Sequence, residues 1–153
     1  MVDSPRPEAS PGSWLAAIEP PVPAIELGAL QLAWLGDAVW DLHQRLRHCS
    51  SPGRSADLHR AVVEEVKAEA QARALRRLDG LLRTEELEQV RRGRNRAGRG
   101  PRRGNPATYG QATGFETMLG WLFLRNPGRL AELLDQLEEI PPTLCPPSHE
   151  SPS

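Results

Sequence analysis

The chain is predicted to fold as an all-α helical bundle. Three observations predict this. Apolar residues recur three and four positions apart in successive segments, which is the period of a helix with one buried face. No stretch alternates apolar and polar residues over the length of a strand. Clusters of Pro, Gly and Ser separate the periodic segments, as turns do between packed helices.

Each element follows from its residues. The first helix is expected over 30–47, with Leu35, Val39, Leu42 and Leu46 as its buried face, ending at Cys49-Ser50-Ser51-Pro52-Gly53. The second is expected from a cap at Ser55 or Asp57 as far as Leu78, with Leu58, Ala61, Val62, Val66, Ala70 and Ala74 on one stripe. Asp79-Gly80 makes the turn. Thr84 is expected to cap a short third helix, with Glu85 and Glu86 in its first turn and Gly93 as its stop. Residues 91–106 hold many Arg and Gly, no acid and almost nothing apolar, so they read as a loop outside the core. Further helices are expected over 109–124 and 128–139, the last burying Leu130, Leu133, Leu134 and Leu137. The folded domain is thus expected over 25–140. The Pro-rich segments 1–24 and 141–153 are expected to be disordered, with Trp14-Leu15-Ala16-Ala17-Ile18 as a short docking turn.

Composition limits the function classes. Charged residues make up 25% and hydrophobic residues 39%, with a formal net charge of -1, which is ordinary for one globular domain. No segment has the length and apolarity of a membrane span, and the N-terminus lacks a basic-then-apolar leader. Cys49 and Cys145 are far apart and have no metal-ligand spacing, so free thiols in the cytoplasm are expected. His43, His48, His59 and His149 have no ligand spacing either and read as structural or exposed. Trp34, Trp40 and Trp121 read as core or interface anchors.

Chemistry concentrates in two acids. Asp37 lies in Leu35-Gly36-Asp37-Ala38-Val39-Trp40-Asp41-Leu42, and Glu116 in Thr113-Gly114-Phe115-Glu116-Thr117-Met118-Leu119-Gly120-Trp121. Either acid alone is explained as a structural acid paired inside the fold, and Asp41 as a surface acid on the face of Asp37. Their settings are alike, however. Small residues flank both, Ala33 and Gly36 beside Asp37 and Ala112, Thr113 and Gly120 beside Glu116, so two helices could approach closely and the carboxylates converge. Converging carboxylates repel unless a cation lies between them, and Mg²⁺ accepts one or two carboxylates with water and phosphate oxygens.

The arginine segment offers a partner for such a site. Arg91, Arg92, Arg94, Asn95, Arg96, Arg99, Arg102 and Arg103 could clamp the phosphates of a nucleic acid, or form a solvated loop. Its glycines follow no strand and precede no Gly-Lys-Ser/Thr, which excludes dinucleotide and P-loop readings. No aromatic residue is interleaved, so duplex backbone suits it better than unpaired bases.

The two acidic runs resemble the acidic helices of ribonuclease III domains. Arg91-Arg92-Gly93-Arg94-Asn95 and the residues to Tyr109 resemble Mini-ribonuclease III, the bacterial branch lacking a double-stranded RNA-binding domain. The resemblance implies an all-α endonuclease-domain bundle acting as a homodimer, with Mg²⁺, on double-stranded precursor ribosomal RNA of the large subunit, and 5′-phosphate products. It implies Asp37 and Glu116 as catalytic metal ligands; on that reading Asp41 is expected to orient metal-bound water or to pair with a basic group. Ala33 and Thr113 stand where fuller ribonucleases III carry further acids, and Glu69 in Lys67-Ala68-Glu69-Ala70-Gln71-Ala72 replaces a lysine of the family pattern. With no second RNA-binding module, selectivity is expected from substrate shape or from a helper such as a ribosomal protein that presents the substrate. Two other readings stay open on sequence alone: a non-catalytic RNA- or ribosome-binding module on the same fold, and a helical protein whose arginines bind an acidic partner.

Overall fold

The computed structural model describes Leu15, residues 27–50 and residues 64–139. Among residues 27–139 the described helices are, in order, α1 (Ala29–Ser50), α2 (Glu64–Arg77), α3 (Thr84–Arg96), α4 (Pro106–Arg125) and α5 (Pro127–Glu139). Among the described residues there is no strand. The expected cap at Ser55 or Asp57 and both expected disordered segments lie outside the described residues, apart from Leu15. That residue is helical and fully buried in the hydrophobic core.

Helix α4 is the axis of the bundle, touching α1, α2, α3 and α5. Its sequence is apolar or small almost all round, the pattern of a helix surrounded by others. It starts three residues before the expected position, because the Asn105 side chain accepts a hydrogen bond from the Ala107 N–H (2.9 Å) and Pro106 occupies the first turn. Phe115, Met118, Leu119 and Leu122 from α4 meet Leu32, Val39 and Trp40 of α1 and Leu130, Leu133, Leu134 and Leu137 of α5 in one core. Trp40 and Phe115 pack edge to face, with ring centroids 5.3 Å apart.

Glycine sets how closely the helices approach. A Cβ at Gly36 of α1 would overlap the Glu116 carbonyl of α4, and one at Gly120 of α4 would overlap the Leu32 carbonyl of α1. The two backbones therefore touch directly at this crossing. Gly93 of α3 does the same against Gly114 and Thr117 of α4.

Four expectations are corrected here. The third helix does not stop at Gly93; it continues to Arg96, because this glycine is a buried contact point and not a break. Arg91, Arg92, Arg94, Asn95 and Arg96 are therefore helical, and the loop proper is 97–105. The N-cap of α3 is Arg83, not Thr84, with the Glu86 carboxylate accepting from the Arg83 N–H at 2.8 Å. On α1, Leu42 and Leu46 are exposed, and the buried side is instead Leu32, Ala33, Gly36, Val39, Trp40 and His43. The expected stripe follows the helical period, but the contact with α4 at Gly36 turns the neighbouring side, with Leu32, Ala33 and Trp40, into the core. Trp34 is 83% exposed and so has no place in the core, whereas Trp40 and Trp121 are buried as expected.

Two polar clusters tie the ends together. Arg129 of α5 grips the buried Glu86 carboxylate through Nε (2.7 Å) and Nη2 (3.1 Å) and donates to the Leu81 carbonyl (2.8 Å). His43 is fully buried beside Glu138, whose carboxylate also binds Arg47 at 2.7 Å; burial lowers the imidazole pKa and keeps it neutral.

Because Gly36 sits where two backbones meet, Gly36→Ala is expected to cost about 3 kcal/mol or more in urea unfolding, the upper range of overpacking. Gly98→Ala, at a left-handed turn with open space around it, is expected to cost only about 1 kcal/mol.

Candidate active site

The Gly36–Gly120 crossing decides where the acids go. Asp37 follows the α1 contact residue directly, and Glu116 is the α4 residue whose carbonyl lies against Gly36. Their side chains consequently meet, with Asp41 one turn further along α1. Asp37 and Glu116 form the floor of a cavity of about 480 Å³. Lys67, Glu69 and Gln71 of α2 line one side of it. Arg103, Gly104 and Asn105 of the loop and Thr108, Tyr109 and Ala112 of α4 line the other.

The electrostatics of the floor are dominated by crowding of like charge. Burial pushes the Glu116 carboxyl up to about 8; the neighbouring Asp37 charge adds to this, and Lys67 opposes it. In the absence of a metal, Glu116 thus carries a proton that it donates to Asp37. Lys67 forms an ion pair with Asp37 and a second one with Asp41 at 2.9 Å. Burial works against its ammonium, but the bonds to the two aspartates prevail and raise its pKa.

The donor set fits a hard divalent cation. Asp37 and Glu116 present oxygen only, and their shared proton occupies a place where positive charge is favoured. Among the described residues no group of three or more His, Cys, Asp or Glu side chains is arranged around a metal position. Asp37 and Glu116 could thus supply a sparse protein shell completed by water and phosphate oxygens, as Mg²⁺ prefers. Ala33 and Thr113 add no ligand. Ala33 is buried in the interface, and the Thr113 hydroxyl donates back to the Tyr109 carbonyl at 2.9 Å.

The structure distributes the arginine set unevenly. Arg103 alone of these residues lines the cavity. Arg94, Asn95, Arg96, Arg99 and Arg102 are exposed on α3 and the loop. Arg91 is bound to Glu88 (2.5 and 3.0 Å) and Arg92 to Gln89 (2.8 Å), so their side chains are partly engaged within α3. Gly100, at φ 76°, packs against the Tyr109 ring and brings the loop onto the cavity wall.

Sequence reasoning gave no role to Lys67; for Asp41 it offered a surface acid, an orienter of metal-bound water or a partner for a basic group, and the structure supplies that basic partner in Lys67. One signal was available. Asp37 and Asp41 are four apart on one helix face, an arrangement that calls for a counter-charge, and Lys67 is the only lysine in a chain whose other cations are arginine.

Glu116 links stability to pH. Its pKa in the fold, about 8, lies above the ordinary 4.5 of an unfolded chain. The favourable contribution of its protonated form is complete below the lower value and is lost as pH rises through the higher one. Metal-free protein is expected to lose stability between about pH 4.5 and 8, and Glu116→Gln to flatten that part of the profile, as read from urea midpoints across the range.

Comparisons with known proteins identify the family. The ribonuclease III domain family matches residues 30–127, a span that runs from the second residue of α1 past the end of α4 and includes both acids. The chain is 52% identical to Mini-ribonuclease 3 of Synechococcus over 117 residues, covering 76% of this chain and 85% of the relative. It is 46% identical to Mini-ribonuclease 3 of Synechocystis, covering 82% and 89%. It is 42% identical to Mini-ribonuclease 3 of Symbiobacterium thermophilum, covering 72% and 87%. With a family match across most of the folded part and such relatives along most of their length, the chain belongs to the ribonuclease III family of endoribonucleases, in its Mini-ribonuclease 3 branch.

Proposed function

We propose that the chain cleaves double-stranded regions of precursor large-subunit ribosomal RNA, with Mg²⁺ held by Asp37 and Glu116, as a homodimer. The observation that carries the catalytic part is the meeting of these two side chains on the floor of a cavity that Arg103 also lines. The precursor-RNA substrate rests on the family resemblance.

A divalent cation there would supply Lewis-acid chemistry for hydrolysis of a phosphodiester. The protein's own residues would bind and orient the strand. Arg103, which lines the cavity, would meet a phosphate oxygen of the bound strand. Arg94, Arg96, Arg99 and Arg102 would extend that contact along the backbone of the duplex. Because these groups recognise phosphate, binding would be weak for any given duplex and steeply dependent on salt.

The dimer reading has its own support. Leu30 and Trp34 are 53% and 83% exposed and lie about two turns and about one turn, respectively, before Asp37 on the same side of α1. Large apolar side chains presented to solvent together suit a protein–protein contact. A second copy seated there would set two acidic sites along one groove, one for each strand.

Asp37→Asn and Glu116→Gln are each expected to lower cleavage of duplex RNA at least about 100-fold, with the helical circular dichroism and RNA affinity retained. Cleavage at the wild-type rate by either variant would remove the mechanism. Trp34→Glu is expected to shift the protein to monomer in sedimentation, and to leave the circular dichroism of the fold in place.

A further inference from the structure

The cavity floor contains a cation of the protein's own. Lys67 reaches from α2 across to α1 and bonds two acids at once, Asp37 and Asp41, the latter at 2.9 Å. The side chain is only 16% exposed, so the contact is built into the wall and is not a chance meeting of surface charges. Among the described residues no other cation pairs with either aspartate; Arg103, the other cationic residue on the cavity, does not touch them.

We propose that Lys67 is a resident counter-ion for the acidic floor, which a divalent cation must displace from Asp37 and whose freed ammonium then faces the substrate phosphate. This rests on the reading of Asp37 as a metal ligand. The argument is one of occupancy. The Asp37 oxygen bonded by Lys67 lies on the carboxylate that would bind the metal, and an ammonium in contact with it both fills space and repels an incoming cation. Lysine suits a movable role. Its charge is compact and sits on a flexible four-carbon stem, so it can leave one oxygen and remain on another. Asp41 supplies that second anchor: it lies one turn from Asp37, and keeping hold of it would leave the ammonium within the cavity. Asp41 is then a positioning residue for Lys67, which explains an acid the reaction itself does not need.

Two consequences separate this from a merely structural ion pair. Removing the ammonium should make the floor more attractive to a divalent cation, while making cleavage worse at saturating cation because the phosphate loses its partner. A structural lysine would lower both together.

The test begins without RNA. Mn²⁺ binding is measured by titration calorimetry for wild type, Lys67→Met, Arg103→Gln and Asp37→Asn. Lys67→Met is expected to bind about tenfold more tightly than wild type, and Arg103→Gln, which also removes a positive charge from the cavity, within about twofold. Unchanged or weaker binding by Lys67→Met overturns the proposal. Equal tightening in Arg103→Gln also overturns it, since the effect would then be one of general charge. Asp37→Asn is expected to lose the site; if it binds as wild type does, the metal assignment itself fails, which is a separate result.

Should Lys67→Met fail to fold, wild-type protein suffices. As Lys67 is the only lysine, ¹⁵N-lysine labelling gives one ammonium signal. It is expected to be visible and protected from solvent exchange without metal, and to exchange markedly faster when Mg²⁺ is added and only the Asp41 contact remains. A protected signal that Mg²⁺ leaves unchanged contradicts displacement. Addition of a short non-cleavable duplex with Mg²⁺ is expected to restore protection, through the phosphate contact.

Discussion

The α1–α4 crossing is the constraint on which the rest depends. Two helices normally stand 8–10 Å apart, roughly, held off by their side chains. Here glycine faces carbonyl on both sides, Gly36 against Glu116 and Gly120 against Leu32. The approach places Asp37 and Glu116, which are about eighty positions apart along the chain, side by side on rigid helices. A site built this way inherits its precision from the core and not from loops. Trp40 against Phe115 fixes the same crossing from within.

Crowding the carboxylates is costly, and the surroundings offset the cost in more than one way. A proton is held on Glu116, and the Lys67 ammonium is held against Asp37 and Asp41. Both place positive charge where the acids meet. A floor so arranged is poised to exchange a proton and an ammonium for a harder cation, so the same repulsion that destabilises the metal-free fold would strengthen metal binding. Stability and activity are then opposed at this one spot, as is usual where like charges are confined.

Much of this was legible in the sequence, and the failures are specific. Apolar spacing located the helices, and small residues beside Asp37 and Glu116 pointed to close approach. The face of α1 was misassigned at Leu42 and Leu46, because an apolar residue on a helix can serve either the core or a surface, and periodicity does not distinguish them. Gly93 was taken for a helix end, since a glycine that ends a helix and one that lets a neighbour in are identical in a single sequence. Once α3 is extended to Arg96, several arginines become fixed projections of a helix, and the loop is shortened to 97–105 with Arg103 on the cavity. Lys67 was not legible, because its partners lie on another helix and only packing brings them within reach.

The most direct measurement is a crystal grown with Mn²⁺ and examined by anomalous scattering. The expected result is a peak bonded to both Asp37 and Glu116 on the cavity floor. A peak bonded to neither acid, or to only one of them with RNA cleavage intact, would contradict a shared ion as the centre of this site.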